Sequence, residues 1–191
     1  MPEDFRTTKR VPIPPDRISK IQKDCFDCDD EARWLTAMIS DTGMRLSEAT
    51  GLLSSDIKLD YNIPHIQLVP HPWRRLKSPS SARQIPLIGA SFWAAQRIKA
   101  CGHQFAFPKY CSELKCNSNS ASAALIKWLK PRTESRCVVH SFRHSLRDRL
   151  RAVECHSDII DAIGGWTTEG VGQAYGTDHA LQIKSKWMDK I

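Results

Sequence analysis

One stretch, residues 57–87, breaks an otherwise helical pattern, and it constrains the fold more than any other feature of the chain. Ile57, Leu59, Ile63, Ile66 and Leu68 read as strands interrupted by turns, and residues 73–87 read as a hairpin turning at Ser78 to Ala82. On either side the apolar residues follow a helical period. Ala32, Leu35, Thr36 and Ile39 recur at that spacing from Asp29 to Ser40, with Asp29 and Asp30 at the end where acidic side chains meet the positive pole. A helix is expected from Asp16 to about Cys25, and a shorter one from Leu46 to Leu53, with Ser47 as its cap. Gly89 to Ala100 and Asn119 to Lys130 read as helices, the second with Ala121, Ala124, Leu125 and Trp128 on one face and Pro131 just past its end. Between them Cys101 to Ser118 is loop-like. Leu146, Leu150 and Val153 extend a helix from His140 whose other face is Arg147, Arg149 and Arg151, turned to a DNA backbone or to water. One short β region among helices predicts an α+β, mainly α, domain with a small antiparallel sheet.

At 191 residues the chain suits one domain with a sizeable core. Lys and Arg exceed Asp and Glu by 28 to 21, a net charge of +7 that favours a polyanionic partner such as nucleic acid. No apolar run approaches a membrane span, and Met1 to Arg10 is too polar for a secretory signal, so a cytosolic protein with no membrane partner is expected. The seven cysteines are odd in number and irregularly spaced, which favours reduced thiols over a disulfide framework. Cys25 and Cys28 invite a zinc reading, but a tetrahedral site needs a second pair. Cys111 with Cys116 is a loose match, so no metal is expected. Residues 1–15, with Arg6, Lys9, Arg10, Pro12, Pro14 and Pro15, read as an extended basic linker ahead of a domain over 16–191.

The candidate chemistry lies in residues 140–175. His140 and Arg143 stand three apart at a helix start, which puts both on one face. Gly164-Gly165-Trp166 follows, and Tyr175 supplies a hydroxyl able to attack phosphorus. Arg45, in Asp41-Thr42-Gly43-Met44-Arg45-Leu46-Ser47-Glu48, provides a second guanidinium. A planar fork that holds two phosphate oxygens and keeps its charge suits a phosphate site. Each residue also has an ordinary structural use: Arg45 paired with Glu48, His140 as a helix cap, Tyr175 at a core edge. Tyr61 and Tyr110 are the other two tyrosines, and neither follows the Gly-Trp pair. His144 lies one residue beyond Arg143 and is expected to support the site rather than form it.

The order Thr-Gly-x-Arg-x-Ser-Glu, a hairpin lysine, His-x-x-Arg, Gly-Trp and a late Tyr resembles the catalytic domain of the tyrosine recombinases, or phage integrases, over about residues 12–180. The resemblance implies the fold named above and site-specific cutting and rejoining of double-stranded DNA through a 3′-phosphotyrosyl link, by a phage or mobile-element enzyme that assembles as a tetramer on DNA. It implies a phosphate clamp from Arg45 and Arg143, Lys77 as the general acid, His140 as proton acceptor or phosphate donor, and Tyr175 as nucleophile. The bond energy stored in that link makes a metal or nucleotide cofactor unnecessary. The hairpin's other basic residues, Arg74, Arg75 and Arg83, are expected to meet DNA. In the family a smaller helical domain precedes this one and closes a clamp around DNA, so the chain is expected to be the catalytic portion. A type IB topoisomerase shares the chemistry, and an integrase-derived DNA-binding protein without activity is the alternative outside enzymes.

Two departures stand out. Most family members carry a second histidine where this chain has Trp166, whose indole N–H donates a hydrogen bond but takes no proton, so Trp166 is read as a phosphate donor or a packing plate. Gly170, Gly172 and Gly176 flank Tyr175 and weaken any helix there. Beyond it Ala180, Ile183, Trp187 and Ile191 recur at helical spacing, with Lys184, Lys186 and Lys190 largely off that face. The stripe is expected to dock on a neighbouring subunit, as the resemblance implies, or on its own domain.

Overall fold

The computed structural model describes residues 11–78, 81–166 and 177–191, with residues 177–180 as backbone. Among them are eight α-helices and a three-stranded antiparallel sheet of order β1-β2-β3, the class expected from the sequence. The helices are α1 (Pro15–Cys28), α2 (Glu31–Thr42), α3 (Leu46–Thr50), α4 (Gly89–Cys101), α5 (Ser118–Leu129), α6 (Ser141–Ala152), α7 (Ser157–Gly164) and α8 (Thr177–Met188). The strands are β1 (Ile57–Lys58), β2 (His65–Leu68) and β3 (Arg83–Pro86). Leu59 and Ile63, expected in strands, fall in the turns between β1 and β2. α7 was not anticipated.

Helix α2 is the centre, packed against α1, α3, α4, α5 and α6. Its N-terminus is fixed by Asp30, whose carboxylate accepts the Arg33 N–H at 3.0 Å. From Leu35 to Thr42 every residue is buried, polar ones included. The hydroxyls of Thr36, Ser40 and Thr42 survive burial by donating to carbonyls one turn back. Asp41 reaches out instead. Its carboxylate accepts the Ala90 N–H at 2.9 Å and the Ser91 N–H at 3.2 Å, so α2 caps the N-terminus of α4. The other carboxylate oxygen accepts from Gln22 of α1 and Arg149 of α6, joining four helices through one side chain.

The sheet is held in register by an isoleucine row, since Ile57 pairs with Ile66 and Ile66 with Ile85, all three buried. The hairpin strands are therefore β2 and β3, and residues 73–77 belong to the long connection between them. The stretch read as an extended linker also has a packed end. Ile13 is 2% exposed and its N–H donates to Ser145 Oγ at 2.7 Å, while Pro15 opens α1 with no N–H to satisfy. Residues 1–10 lie outside the described residues.

Helix α8 packs on its own domain, against β3 and α7. Its buried face is Leu181, Lys184 and Met188, while Ile183 is 37% exposed and Trp187 half-buried against His156. The expected stripe is thus rotated. Lys184 turns inward because its ammonium finds the Gln84 carbonyl at 3.1 Å, and burial, with Arg83 nearby, pulls its pKa down to about 8.

Helix α2 ends at Gly43, with φ +59 and its N–H bonded to Ile39. A Cβ there would stand 2.5 Å from Leu146 Cδ2, whereas one at Gly102, also at positive φ, meets nothing within 4 Å. Gly43→Ala is therefore expected to destabilise by backbone strain plus overpacking of roughly 1–3 kcal/mol, and Gly102→Ala by the strain alone. Urea unfolding of the two variants side by side checks the difference; equal losses would show that Leu146 yields freely.

Candidate active site

The site is organised around Glu48 on α3, a carboxylate 2% exposed. Its Oε2 accepts the Arg45 backbone N–H at 2.9 Å and Arg83 Nη2 at 3.1 Å, and its Oε1 accepts Arg45 Nη1 at 2.5 Å. Arg45, not Ser47, therefore stands at the cap position, and Glu48 reaches back to it. Burial alone would raise the Glu48 pKa, but Arg83 and the donated hydrogen bonds outweigh it and hold the carboxyl below its ordinary value. The pairing that is the ordinary use of Arg45 is thus present, and it serves to aim the guanidinium. Arg45 Nη1 also donates to Ser81 Oγ at 3.0 Å, and Ser78 bonds the same hydroxyl at 3.1 Å, so the turn after Lys77 is tied to Arg45. Lys77 itself is exposed.

Arg143 sits in the first turn of α6, 2% exposed. Its Nη1 donates to the Gly43 carbonyl at 3.0 Å, so the end of α2 holds it in place. Nη2 has no hydrogen-bond partner among the described residues. Burial, followed by the like charges of Arg45 and Arg83, draws its pKa down to about 10. The guanidinium lies over the Trp166 ring, 4.2 Å from the centroid, and Arg147 lies over the same ring at 5.0 Å. The indole thus packs against two guanidiniums. His140 is half-buried just before α6, its ring edge-on to that of His144 at 5.2 Å.

The Gly-Gly-Trp motif has a steric cause here. A Cβ at Gly164 would stand 1.8 Å from the Trp166 ring, and one at Gly165, which has φ +66, would stand 2.7 Å from Arg83 Nη1. The two glycines let the indole and the guanidinium close over the end of α7.

Two of the basic residues expected at a DNA-facing hairpin are buried. Arg74 lays its stem across Gly51 and donates from Nη1 to the Glu48 carbonyl at 2.7 Å and from Nη2 to the Val69 carbonyl. His71 accompanies it, 2.8 Å from Asp56, with its ring stacked on Trp73. Arg83 donates to the Ile163 and Ser81 carbonyls at 2.8 and 2.7 Å besides pairing with Glu48. Unsatisfied carbonyls at the ends of α3 and α7 draw these guanidiniums inward. Arg75 is exposed. On α6, Arg147 pairs with Asp161 and Arg149 with Asp41, leaving Arg151 at the surface. Tyr110 is buried, Tyr61 is exposed beside His65, and Tyr175 lies outside the described residues. Among the described residues no group of three or more metal-ligating side chains occurs. Ser81 and the scaffold role of Arg83 were missed; the only signal for either was closeness to Lys77.

Glu48→Gln would leave Arg83 buried without its counter-charge, a loss expected to cost roughly 3–5 kcal/mol at neutral pH. Because the carboxyl is held below its ordinary value of 4.5, the stability it contributes is full above that pH and lost as the pH falls through the folded value. The gap between wild type and Glu48→Gln should therefore narrow in acid. Urea unfolding over a pH series measures it, and a gap that stays constant below 4.5 would contradict the ion pair.

The sequence matches the phage integrase family model over residues 14–180. No curated protein sequence matches it. In fold it is similar to the Tn1549 transposon integrase in complex with circular intermediate DNA, at 18% identity and TM-score 0.64, covering 94% of this chain and 62% of that one. It is also similar to XerA recombinase, at 14% identity and TM-score 0.61 over 97% of this chain and 61% of that one. XerH site-specific recombinase bound to palindromic difH substrate is similar at 13% and 0.59, over 95% of this chain and 51% of that one. The chain thus spans less than two thirds of each. A match over residues 14–180 of a 191-residue chain makes it a member of the phage integrase family.

Proposed function

We propose that this chain cuts and rejoins double-stranded DNA at specific sites, as the catalytic portion of a phage or mobile-element recombinase. The observation that carries the reading is Arg143: a guanidinium 2% exposed, fixed by one nitrogen to the end of α2, with its other terminal nitrogen unpartnered among the described residues. An orphaned charged donor in a protein interior is costly unless a ligand meets it. A phosphate oxygen is the partner whose charge and geometry fit, and Arg45, aimed by Glu48, supplies the second clamp. The Tn1549 integrase and XerH structures of similar fold are DNA complexes, which supports the same partner here.

In this scheme Tyr175 attacks the phosphorus in line, Arg45 and Arg143 neutralise the non-bridging oxygens, and the DNA 5′ oxygen departs with a proton from Lys77. A tyrosine of pKa ~10 is ionised to about one part in a thousand at neutral pH, so His140 takes its proton or steadies the phosphate. The 3′-phosphotyrosyl ester keeps the energy of the broken bond, and attack by a 5′ hydroxyl reverses the step. The exposed Lys77 is carried by a turn anchored through Ser81 to Arg45, so the acid and the clamp share one support. Assembly into a tetramer on DNA belongs to the same proposal.

Tyr175→Phe is expected to abolish the covalent adduct with a nicked DNA substrate while leaving DNA binding nearly unchanged, read on denaturing gels and by band shift. An adduct surviving in the Phe variant would move the nucleophile to Tyr61 or Tyr110. Lys77→Ala should lose cleavage of ordinary DNA and regain it on a substrate with a 5′-bridging sulfur, which departs without a proton. His140→Ala should not be rescued. Equal rescue of both would make Lys77 a phosphate clamp rather than the acid.

A further inference from the structure

The loop between α4 and α5 carries a thiol pair that the recombination chemistry does not use. Cys111 and Cys116 form an isolated antiparallel bridge. Two hydrogen bonds flank it, Asn117 N–H to the Tyr110 carbonyl at 2.7 Å and Ser112 N–H to the Lys115 carbonyl at 3.0 Å. One lies a residue before the Cys111–Cys116 pair and the other a residue beyond it toward the turn, which makes this a non-hydrogen-bonded cross-strand pair, the kind whose Cα atoms stand about 4.5 Å apart with side chains closest. That separation falls inside the ~4.4–6.8 Å span a disulfide bridges. The thiols also sense each other, since after burial Cys116 is the next cause of the raised Cys111 pKa.

The two sulfurs differ in access. Cys111 is 3% exposed, while Cys116 is partly exposed at the foot of an exposed turn in which Leu114 is 96% exposed. Cys116 Sγ lies 3.4 Å from the Thr50 hydroxyl, on the last residue of α3, the helix that carries Glu48. Arg74, which braces the Glu48 carbonyl, lies close enough to act on the Cys111 thiol.

We propose that Cys111 and Cys116 are a dithiol modification site that closes to an intramolecular disulfide by exchange with a small disulfide such as oxidised glutathione. The Cys116 thiolate attacks one sulfur of oxidised glutathione and forms a mixed disulfide, releasing the first glutathione thiolate, which takes up the proton. Cys111 then gives up its proton and attacks Cys116 Sγ, expelling the second glutathione thiolate. The protein loses two electrons and two protons, and the small disulfide gains them. Burial keeps Cys111, 3% exposed, away from a small disulfide and also raises its pKa, so it is the resolving rather than the attacking sulfur. Closure removes the S–H that faces Thr50, so the state of the loop reaches the end of α3. Cys25 and Cys28 carry no such bridge, as they lie on one face of α1 and at its exposed end.

The test uses the full chain equilibrated in glutathione buffers of graded potential, quenched in acid, alkylated and mapped by peptide mass spectrometry. The expected result is a Cys111–Cys116 cross-link lighter by two hydrogens that appears cooperatively as oxidised glutathione rises, while the other five cysteines stay alkylatable. Cys111→Ser should then stop the reaction at a glutathione adduct on Cys116, and Cys116→Ser should remove both products, each checked for folding by its melting temperature. A stable glutathione adduct on Cys116 in the wild-type chain, or alkylation of both thiols at every potential, would overturn the proposal. The mapping needs no DNA and no cleavage, so its outcome is independent of whether the chain recombines DNA.

Discussion

The buried charge of Glu48 is the interaction on which the rest of the site depends. One carboxylate receives the Arg45 backbone, the Arg45 guanidinium and the Arg83 guanidinium, and it lies on a helix too short to be stable by itself. A lone buried carboxylate would take up a proton, and a buried guanidinium without a counter-charge is costly. Together they fix three elements at once: the start of α3, strand β3 through Arg83, and the turn after Lys77 through Ser81. Arg83 extends the same network to the end of α7, where Gly165 lets it approach. The residues that touch a phosphate in the proposed reaction are thus held by residues that do not.

The C-terminal end of the central helix α2 works in the same way. Asp41 caps α4 and gathers α1 and α6, while Gly43, two residues on, turns the chain toward Arg45 and offers its carbonyl to Arg143. Two arginines nearly a hundred residues apart in sequence reach one site because a single helix end positions both. The thiol pair in the loop before α5 touches the same short helix from its far side, at Thr50.

The class of fold and the helices other than α7 were legible because apolar spacing and Gly or Pro punctuation are local signals. Gly43 bends the chain where the glycine predicts, while Pro15, read as the end of a linker, opens α1 instead. The arginines were harder. Arg74 and Arg83 look like solvent-facing charges in sequence, and what turns them inward is a set of carbonyls at Glu48, Val69 and Ile163, supplied by other parts of the chain. The same holds for Lys184, whose partner is the Gln84 carbonyl and whose inward turn rotates the buried face of α8 away from the apparent apolar stripe. Periodicity records which residues are oily, and it is silent about which backbone oxygens need a donor. The Gly-Trp pair could be recognised as a motif, but its cause, an indole laid on Gly164 and beneath Arg143, required coordinates.

The depth of Arg143 also separates two kinds of charge on this protein. Arg75 and Lys77 stand in solvent, where mobile ions reach them and their pull on a polyanion falls off within about 8 Å at physiological ionic strength. Arg143 has an aromatic ring on one face and protein on the rest, so counterions have little room to gather around it. In the proposed reaction, added salt would therefore weaken what the surface cations contribute to encounter far more than what the buried guanidinium contributes once a phosphate is seated. Capture and grip in that reaction would answer to different variables, the first to ionic strength and the second to shape.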